Sequence, residues 1–380
     1  MIGMLLGFIA RAQELEGEGI VLGNLVLRPR VETVAAYDSR VRLDEATGDS
    51  ESDVYGEVLA GASLENLPAV FSLSADASYG RRYYVDYTDN DSEFYSGGAA
   101  VGYDQEAWRW GLSVDVAKTL GYDVSYDPET GEGPSSILSD EPSRQWTVQG
   151  NVGYAIPLSD KTFFVPGYSL EHYYQELENN ESAEWQTHNV SLVLNHVLSE
   201  RLTLLAGGFY SLQTNDEEDG YIVTVGGGAQ GQISDKTSWA ILAGAAHFDY
   251  DVSGTGEGGL LDLKFSWQAT EKISAYAFYG NTYEPGYDGG KARMVYRAGY
   301  GGGWAIATRW SLGGQVLHDY TEEVGNGTSL DSYGGVNHFF SAQLAYNPTR
   351  HFSASLRGQY VNDEYSEDQK VVSLSVGYVY

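Results

Sequence analysis

The 380-residue chain contains no cysteine. That excludes disulfides, thiolate metal sites, a cysteine nucleophile and an acylated lipoprotein cysteine. Cations are scarce too: 22 Lys and Arg stand against 53 Asp and Glu, for a net charge of -31. Nucleic acid is therefore excluded as a partner, because a phosphate backbone needs clustered Lys and Arg. No run of about 18 apolar residues occurs, which excludes a transmembrane helix. Prolines number only 9, whereas glycines number 47 and tyrosines 30. Few prolines with abundant Gly and Tyr point to β-structure that carries aromatic surfaces.

The N-terminus reads as an export signal. Met4-Leu5-Leu6-Gly7-Phe8-Ile9-Ala10 is apolar and runs into Ala10-Arg11-Ala12 before polar Gln13 and Glu14. Small residues at Ala10 and Ala12 fit cleavage after Ala12, so residues 1–12 are expected to be a signal remnant. No basic residue precedes the apolar run, so Met1 is expected to lie inside a longer signal. Residues 13–24 are then a short periplasmic segment and residues 25–380 one barrel domain.

From Leu25 onward two kinds of connection alternate. Short ones often carry a basic residue, as in Ser159-Asp160-Lys161, Ser199-Glu200-Arg201, Ser234-Asp235-Lys236, Thr270-Glu271-Lys272, Thr308-Arg309 and Asn347-Pro348-Thr349-Arg350. Long ones are acidic and rich in Gly, Asn and Ser, near 39–53, 87–94, 127–143, 178–184, 215–220, 253–259, 284–292, 321–335 and 361–369. Between them lie segments of period-2 alternation, the mark of half-buried strands. Leu202-Leu204-Ala206-Gly208-Tyr210-Leu212 forms one apolar face with Thr203, Gly207 and Ser211 opposite. Trp108-Trp110-Leu112-Val114-Val116 alternates with Arg109-Gly111-Ser113-Asp115 in the same way.

Eight short turns and nine long loops separate eighteen strands. The expected fold is all-β: a transmembrane antiparallel up-and-down β-barrel of about 18 strands. A β-propeller shares the repeat near 40 residues, but its strands are shorter and no Trp-Asp blade signature recurs. Strands of ten to fifteen residues fit a tilted bilayer crossing, and short turns alternating with long loops fit an outer-membrane barrel. In hydrocarbon every backbone polar group needs an internal partner, and only closure removes the free edges. Aromatics should then gather at both interfaces. Trp108, Trp110, Trp146, Trp239, Trp304 and Trp310 are assigned to short-turn ends. Tyr37, Tyr79, Tyr83, Tyr174, Tyr210, Tyr221, Tyr320 and Tyr360 are assigned to long-loop ends.

Val372, Leu374, Val376, Tyr378 and Tyr380 form an apolar face ending in an aromatic residue. This resembles the last-strand signal of bacterial outer-membrane proteins, with Val376, Tyr378 and Tyr380 as its assembly residues. The resemblance implies the barrel-assembly machinery as a partner. The segment Leu25-Val26-Leu27-Arg28-Pro29-Arg30-Val31, running to Tyr37-Asp38 before an acidic loop, resembles the start of the β-barrel porin-2 family. That resemblance implies a porin-like outer-membrane barrel of a Gram-negative bacterium, of a kind found in exopolysaccharide gene neighbourhoods.

Alternation assigns Arg28, Arg30, Glu32, Asp76, Arg82, Arg109, Asp115, Glu171, Asp262, Lys264, Arg297 and Arg357 to the lumen. Mixed charges there are a source of ion selectivity, or else pair with one another and solvate the wall. Lys118 falls on the lipid face, which calls for a bulge or a place at the interface. About 37 of the 53 acidic residues lie in the long-loop regions and their strand ends. An extracellular mouth of that charge gathers cations within about 8 Å. Asp89-Asn90-Asp91-Ser92-Glu93 and Asp216-Glu217-Glu218-Asp219 could bridge lipopolysaccharide through divalent cations, though neither has an EF-hand spacing.

The longest loop, 127–143, is the candidate constriction. About a dozen residues after the cleavage point are too few for a plug, which points away from siderophore-type uptake. His247-Phe248-Asp249 and His318-Asp319 are the only hints of catalysis, and Gly254-Thr255-Gly256-Glu257-Gly258-Gly259 reads as an external loop without the helix a phosphate loop needs. The expected function is passive, cation-leaning diffusion, with no enzyme activity and no cofactor. Two alternatives stand beside it. One is an exopolysaccharide-export conduit whose Lys161, Arg201, Lys236, Lys272, Arg309 and Arg350 dock periplasmic partners. The other is a non-conducting structural or adhesive barrel. Both termini are expected on the periplasmic side.

Overall fold

The computed structural model describes residues 19–43, 50–66, 70–88, 91–105, 108–119, 143–177, 182–215, 219–251, 254–284, 293–323, 336–362 and 368–380. They form eighteen barrel strands. The first six are β1 Leu25–Leu43, β2 Ser50–Asn66, β3 Phe71–Tyr84, β4 Ser92–Gln105, β5 Trp108–Thr119 and β6 Ser143–Tyr154. After a break at Ala155, Ile156–Ser159 carries β6 onward against the next strand. The middle six are β7 Thr162–Leu177, β8 Ser182–Ser199, β9 Leu202–Asn215, β10 Asp219–Ser234, β11 Thr237–Tyr250 and β12 Gly254–Thr270. The last six are β13 Ile273–Glu284, β14 Arg293–Ala307, β15 Trp310–Glu323, β16 Val336–Tyr346, β17 Phe352–Asn362 and β18 Gln369–Val379.

Each strand pairs antiparallel with its chain neighbours, and β18 returns to β1 from Arg30↔Val379 to Asp38↔Val371. The sheet is therefore a closed eighteen-stranded barrel. Tyr380 seals the seam: its N–H donates to the Pro29 carbonyl at 3.0 Å, and its own carbonyl accepts from Gly19 N–H at 3.1 Å. Residues expected as a bare lead-in segment add a short strand, Ile20–Leu22, which pairs with the start of β1 through a turn at Gly23, where φ is 69°. The segment 1–12 assigned to a signal lies outside the described residues.

The short turns have a common cause. Ser159, Ser199, Ser234, Thr270 and Thr349 each accept at the hydroxyl from the backbone N–H two residues on, at 3.1 to 3.4 Å. Such local bonds fix tight reversals. The carbonyls of Lys161, Arg201, Lys236 and Lys272 then accept from the adjoining strand, and the register slips by one residue beside each turn.

Period 2 sorts the side chains cleanly. Val31, Val58, Leu73, Leu112, Val114, Leu192, Leu204, Val225, Ile241, Phe265, Leu312, Leu356 and Leu374 share the outward parity and are exposed. Eighteen strands about 4.8 Å apart and tilted by about 40° enclose a backbone cylinder on the order of 35 Å across.

Rings flank the apolar band at both ends. Trp108, Trp304 and Trp310 are exposed at short-turn ends, and Tyr37, Tyr79, Tyr83, Tyr210 and Tyr320 at long-loop ends. Trp146 corrects the sequence reading. It lies near the start of β6, opposite Val116 and Tyr174, and therefore belongs to the long-loop girdle. Lys118 needs no bulge, since both of its ladders run through it without a slip.

Candidate functional site: the inner wall

All twelve residues assigned to the lumen have the parity opposite to the exposed apolar set. Six of them pair with near neighbours. Arg28 pairs with Glu65, Arg82 with Glu57 at 2.6 Å, and Arg109 with Asp104 at 3.0 Å. Asp262 pairs with Lys264 and Arg297 with Asp319, each at 3.7 Å. Arg82 also lies 4.2 Å over the Tyr55 ring, which holds the guanidinium against the wall. Arg30 lies opposite Gly61 and Glu32 opposite Leu59, while Glu171 sits between Gln149 and Thr187 and Arg357 opposite Gln343.

Asp76 and Asp115 are arranged differently. They flank Gly98 in one row across β3, β4 and β5. A Cβ at Gly98 would touch both carboxylates, so both lean over the glycine. With Ser96, Gln145 and Thr147 they line a cavity of about 280 Å³. Asp76, Asp115, Ser72, Ser74 and Asn151 are all exposed on this inner face. The lumen is therefore open beside β3 to β6.

The opposite wall is packed. Phe248 is 1% exposed, and it clusters with Ile222, Ala246, Tyr250, Tyr283 and Met294. Ile222, Phe248 and Tyr250 point inward, whereas Tyr283 and Met294 carry the outward parity of their own strands. The reversal follows from pairing. The β12–β13 ladder stops at Asp262↔Gly280, so Gly254–Leu261 pair only with β11, and Asn281–Glu284 only with β14. Asn281 bridges the parting strands, accepting from Leu261 N–H at 2.6 Å and donating to the Gly259 carbonyl at 2.8 Å.

Above that point the β13–β14 end turns into the barrel and lays Tyr283 on Phe248, ring to ring at 4.8 Å. Glycine makes the seat: a Cβ at Gly258 would collide with the Tyr283 hydroxyl, and one at Gly256 with the Phe248 ring. The stretch 254–259, expected as an external loop, is thus strand and forms this seat. A second inner cluster joins Leu317 and Phe339 to Phe278 and Val361. The constriction expected from 127–143 falls mostly on residues outside those described.

At the seam, Asp53 and Asp38 face each other, 3% and 8% exposed. Asp53 accepts from Asp86 N–H at 3.1 Å and Tyr87 N–H at 3.0 Å, which folds the start of the β3–β4 connection over the rim. Gln369 donates its amide to both Asp38 oxygens. Just before β18, the Tyr360 hydroxyl and Asn362 amide each donate to Asp368 at 2.6 Å and hold its carboxyl below the usual range.

Sequence neighbours that hinted at catalysis do not assemble. His318 faces outward against His338, with Nδ1 atoms 2.6 Å apart, while Asp319 faces inward. His247 and Asp249 share the outer face, with His247 3.6 Å from Glu257. Among the described residues no three His, Asp or Glu side chains converge as a metal site.

No family model matches the chain, and no curated protein matches it. The porin-2 resemblance thus gains no support from a family match. Solved structures that resemble it include the copper transporter OprC, at 10% identity and a TM-score of 0.49 over 95% of this chain and 81% of that one. OpdQ of Pseudomonas aeruginosa is 11% identical, with a TM-score of 0.45 over 94% of this chain and 97% of that one. The FrpB iron transporter from Neisseria meningitidis is 13% identical, with a TM-score of 0.46 over 93% of this chain. This chain spans 64% of that protein's length.

Proposed function

We propose that the protein is a porin-like diffusion channel of a Gram-negative outer membrane, with solutes passing along the wall formed by β3 to β6. The observation that carries this reading is the exposed pair Asp76 and Asp115, on the inner face of a closed barrel whose outer face is apolar. A barrel of 16 to 18 strands leaves room for water. Six of the twelve assigned inner charges are paired with neighbours, whereas these two carboxylates stand together on the open stretch of wall, set the local field there and favour cations. The acidic long loops add to that preference at the mouth.

The test is conductance of the refolded chain in a planar bilayer under a KCl gradient. Steady openings with cation preference support the channel. Silence from protein that gel mobility shows to be folded overturns it and leaves a gated polysaccharide conduit or a structural barrel. The sugar-conduit reading predicts conductance only with periplasmic partners present.

A further inference from the structure

We propose that the overlap of β12 on the β13–β14 end is a lateral gate, through which a single-chain cationic amphiphile passes between the lumen and the outer leaflet. The inference rests on the outer apolar band facing lipid, with the long-loop end outermost; it does not depend on ion conduction. Its starting point is how the wall is joined. Up to Asp262↔Gly280, β12 and β13 are held by a backbone ladder. Beyond it the Asn281 amide bridges the two strands, gripping the peptide groups on both sides of Leu260. Contacts of Tyr283 and Met294 with the inner face of β11 and β12 complete the joint.

Such a joint opens without breaking the sheet. β12 stays laddered to β11 as far as Tyr250↔Gly254, and β13 to β14 as far as Glu284↔Arg293. The two edges therefore part as flaps, losing one side-chain bridge and the apolar contact between them. Sheet edges are costly in hydrocarbon, so a stretch that served only as wall would be laddered throughout. Gly256 and Gly258 leave the β12 flap bare where the Phe248 and Tyr283 rings lie.

Height decides what meets the joint. Leu261, the first residue beyond the ladder, lies six residues along β12 from Trp267, which is exposed near the short-turn end. Glu257 lies ten residues from that tryptophan. At about 3.3 Å per residue and a tilt of about 40°, the joint spans about 15 to 25 Å above Trp267. A barrel's apolar band is about 25 Å tall, so this is the level of outer-leaflet acyl chains.

The lining selects the chain, and charge selects the head. Phe248, Tyr250, Tyr283 and Met294 form an apolar seat just inside the joint, with Leu260 packed against it. An entering alkyl chain lifts the Tyr283 ring from Phe248 and exchanges one apolar contact for another. Beyond the seat the lumen exposes the carboxylates of Asp76 and Asp115, in a protein whose net charge is -31. An ammonium head is therefore favoured over a carboxylate or phosphate head.

The test uses the full refolded protein in phospholipid vesicles that carry dodecylammonium with a photoreactive diazirine at the chain end. Irradiation and peptide mass mapping read where that end goes. Wild type should be labelled at Phe248 or Tyr283, which are 1% and 5% exposed and lie out of reach of lipid behind a closed joint. No label at either residue overturns the proposal. Because the chain has no cysteine, Leu260→Cys with Asn281→Cys places its only two thiols across the joint. Bridging them with a short bifunctional thiol reagent should cut the labelling at least tenfold, and reduction should restore it. Equal labelling of bridged and reduced protein overturns the gate. Two further arms need no variant. A butylammonium diazirine, which travels through water, should leave the seat of wild type unlabelled; equal labelling by it assigns entry to the lumen and overturns the route from lipid. Equal labelling by the matched dodecanoate overturns the commitment to a cationic head.

Discussion

The inner wall from β3 to β6 and the inner wall from β10 to β14 come from the same alternation of side chains, and they end in opposite states. In the first, inward positions hold Ser72, Ser74, Asp76, Asp115 and Asn151, which stay exposed. In the second, they hold Ile222, Ala246, Phe248 and Gly258, and the β13–β14 end folds down on them. Alternation assigns a side chain to a face. Whether that face stays wet depends on its chemistry, because an apolar inner patch gains by recruiting cover and a carboxylate row gains by keeping water.

The strongest way to break this contrast is to remove the seat of the inturned hairpin. Phe248→Ala should cost about 3–5 kcal/mol, the usual range for deleting a buried phenyl ring. It should also raise single-channel conductance as the β13–β14 end loses its anchor. Gly258→Val should raise conductance in the same way at a lower cost, about 1–3 kcal/mol, because its side chain takes the place of the Tyr283 hydroxyl. Urea unfolding in detergent and bilayer recording check both variants. Unchanged conductance would mean that the hairpin does not narrow the path.

A smaller effect sharpens the other side of the comparison. Asp76→Asn with Asp115→Asn should leave stability within about 0.5 kcal/mol, as exposed substitutions do. The reversal potential in a KCl gradient should move toward zero. If selectivity is unaffected, it resides in the loops rather than in the open wall.

The smallest effect lies beside the seam, just before β18. Asp368 is held below the usual carboxyl range, first by the Tyr360 hydroxyl and then by Asn362. A folded value lower than the unfolded one contributes stability that is full above the unfolded value of about 4 and lost as pH falls through the folded value. The difference in thermal midpoint between wild type and Asp368→Asn should therefore be present at neutral pH and close in acid. A gap that persists in strong acid would assign the contribution to shape rather than charge.

Much of this molecule can be read along the chain. Each half of a strand repeat, such as Leu202-Leu204-Ala206 against Thr203-Leu205-Gly207, declares its face locally. Each Ser-Asp-Lys or Thr-Glu-Lys step declares its turn through a hydroxyl two residues from an N–H. Glu57, the partner of Arg82, carries no local signal, because a separation of 25 positions hides a direct cross-strand register. The girdle of Trp146 is not legible in the sequence, because the boundary of its preceding loop has no local marker.

By itself the sequence determined the strand count, the two faces and the tyrosine girdle, since all of these follow from period 2 and turn chemistry. Only the tertiary structure decided that β13 parts from β12 at Gly280, that a glycine-rich stretch is a seat rather than a loop, and that Lys118 meets Arg144. The reason is physical. Alternation is a property of neighbours in the chain, whereas ladder termination, inward folding and cross-strand pairing are settled by contacts that form only once the barrel closes.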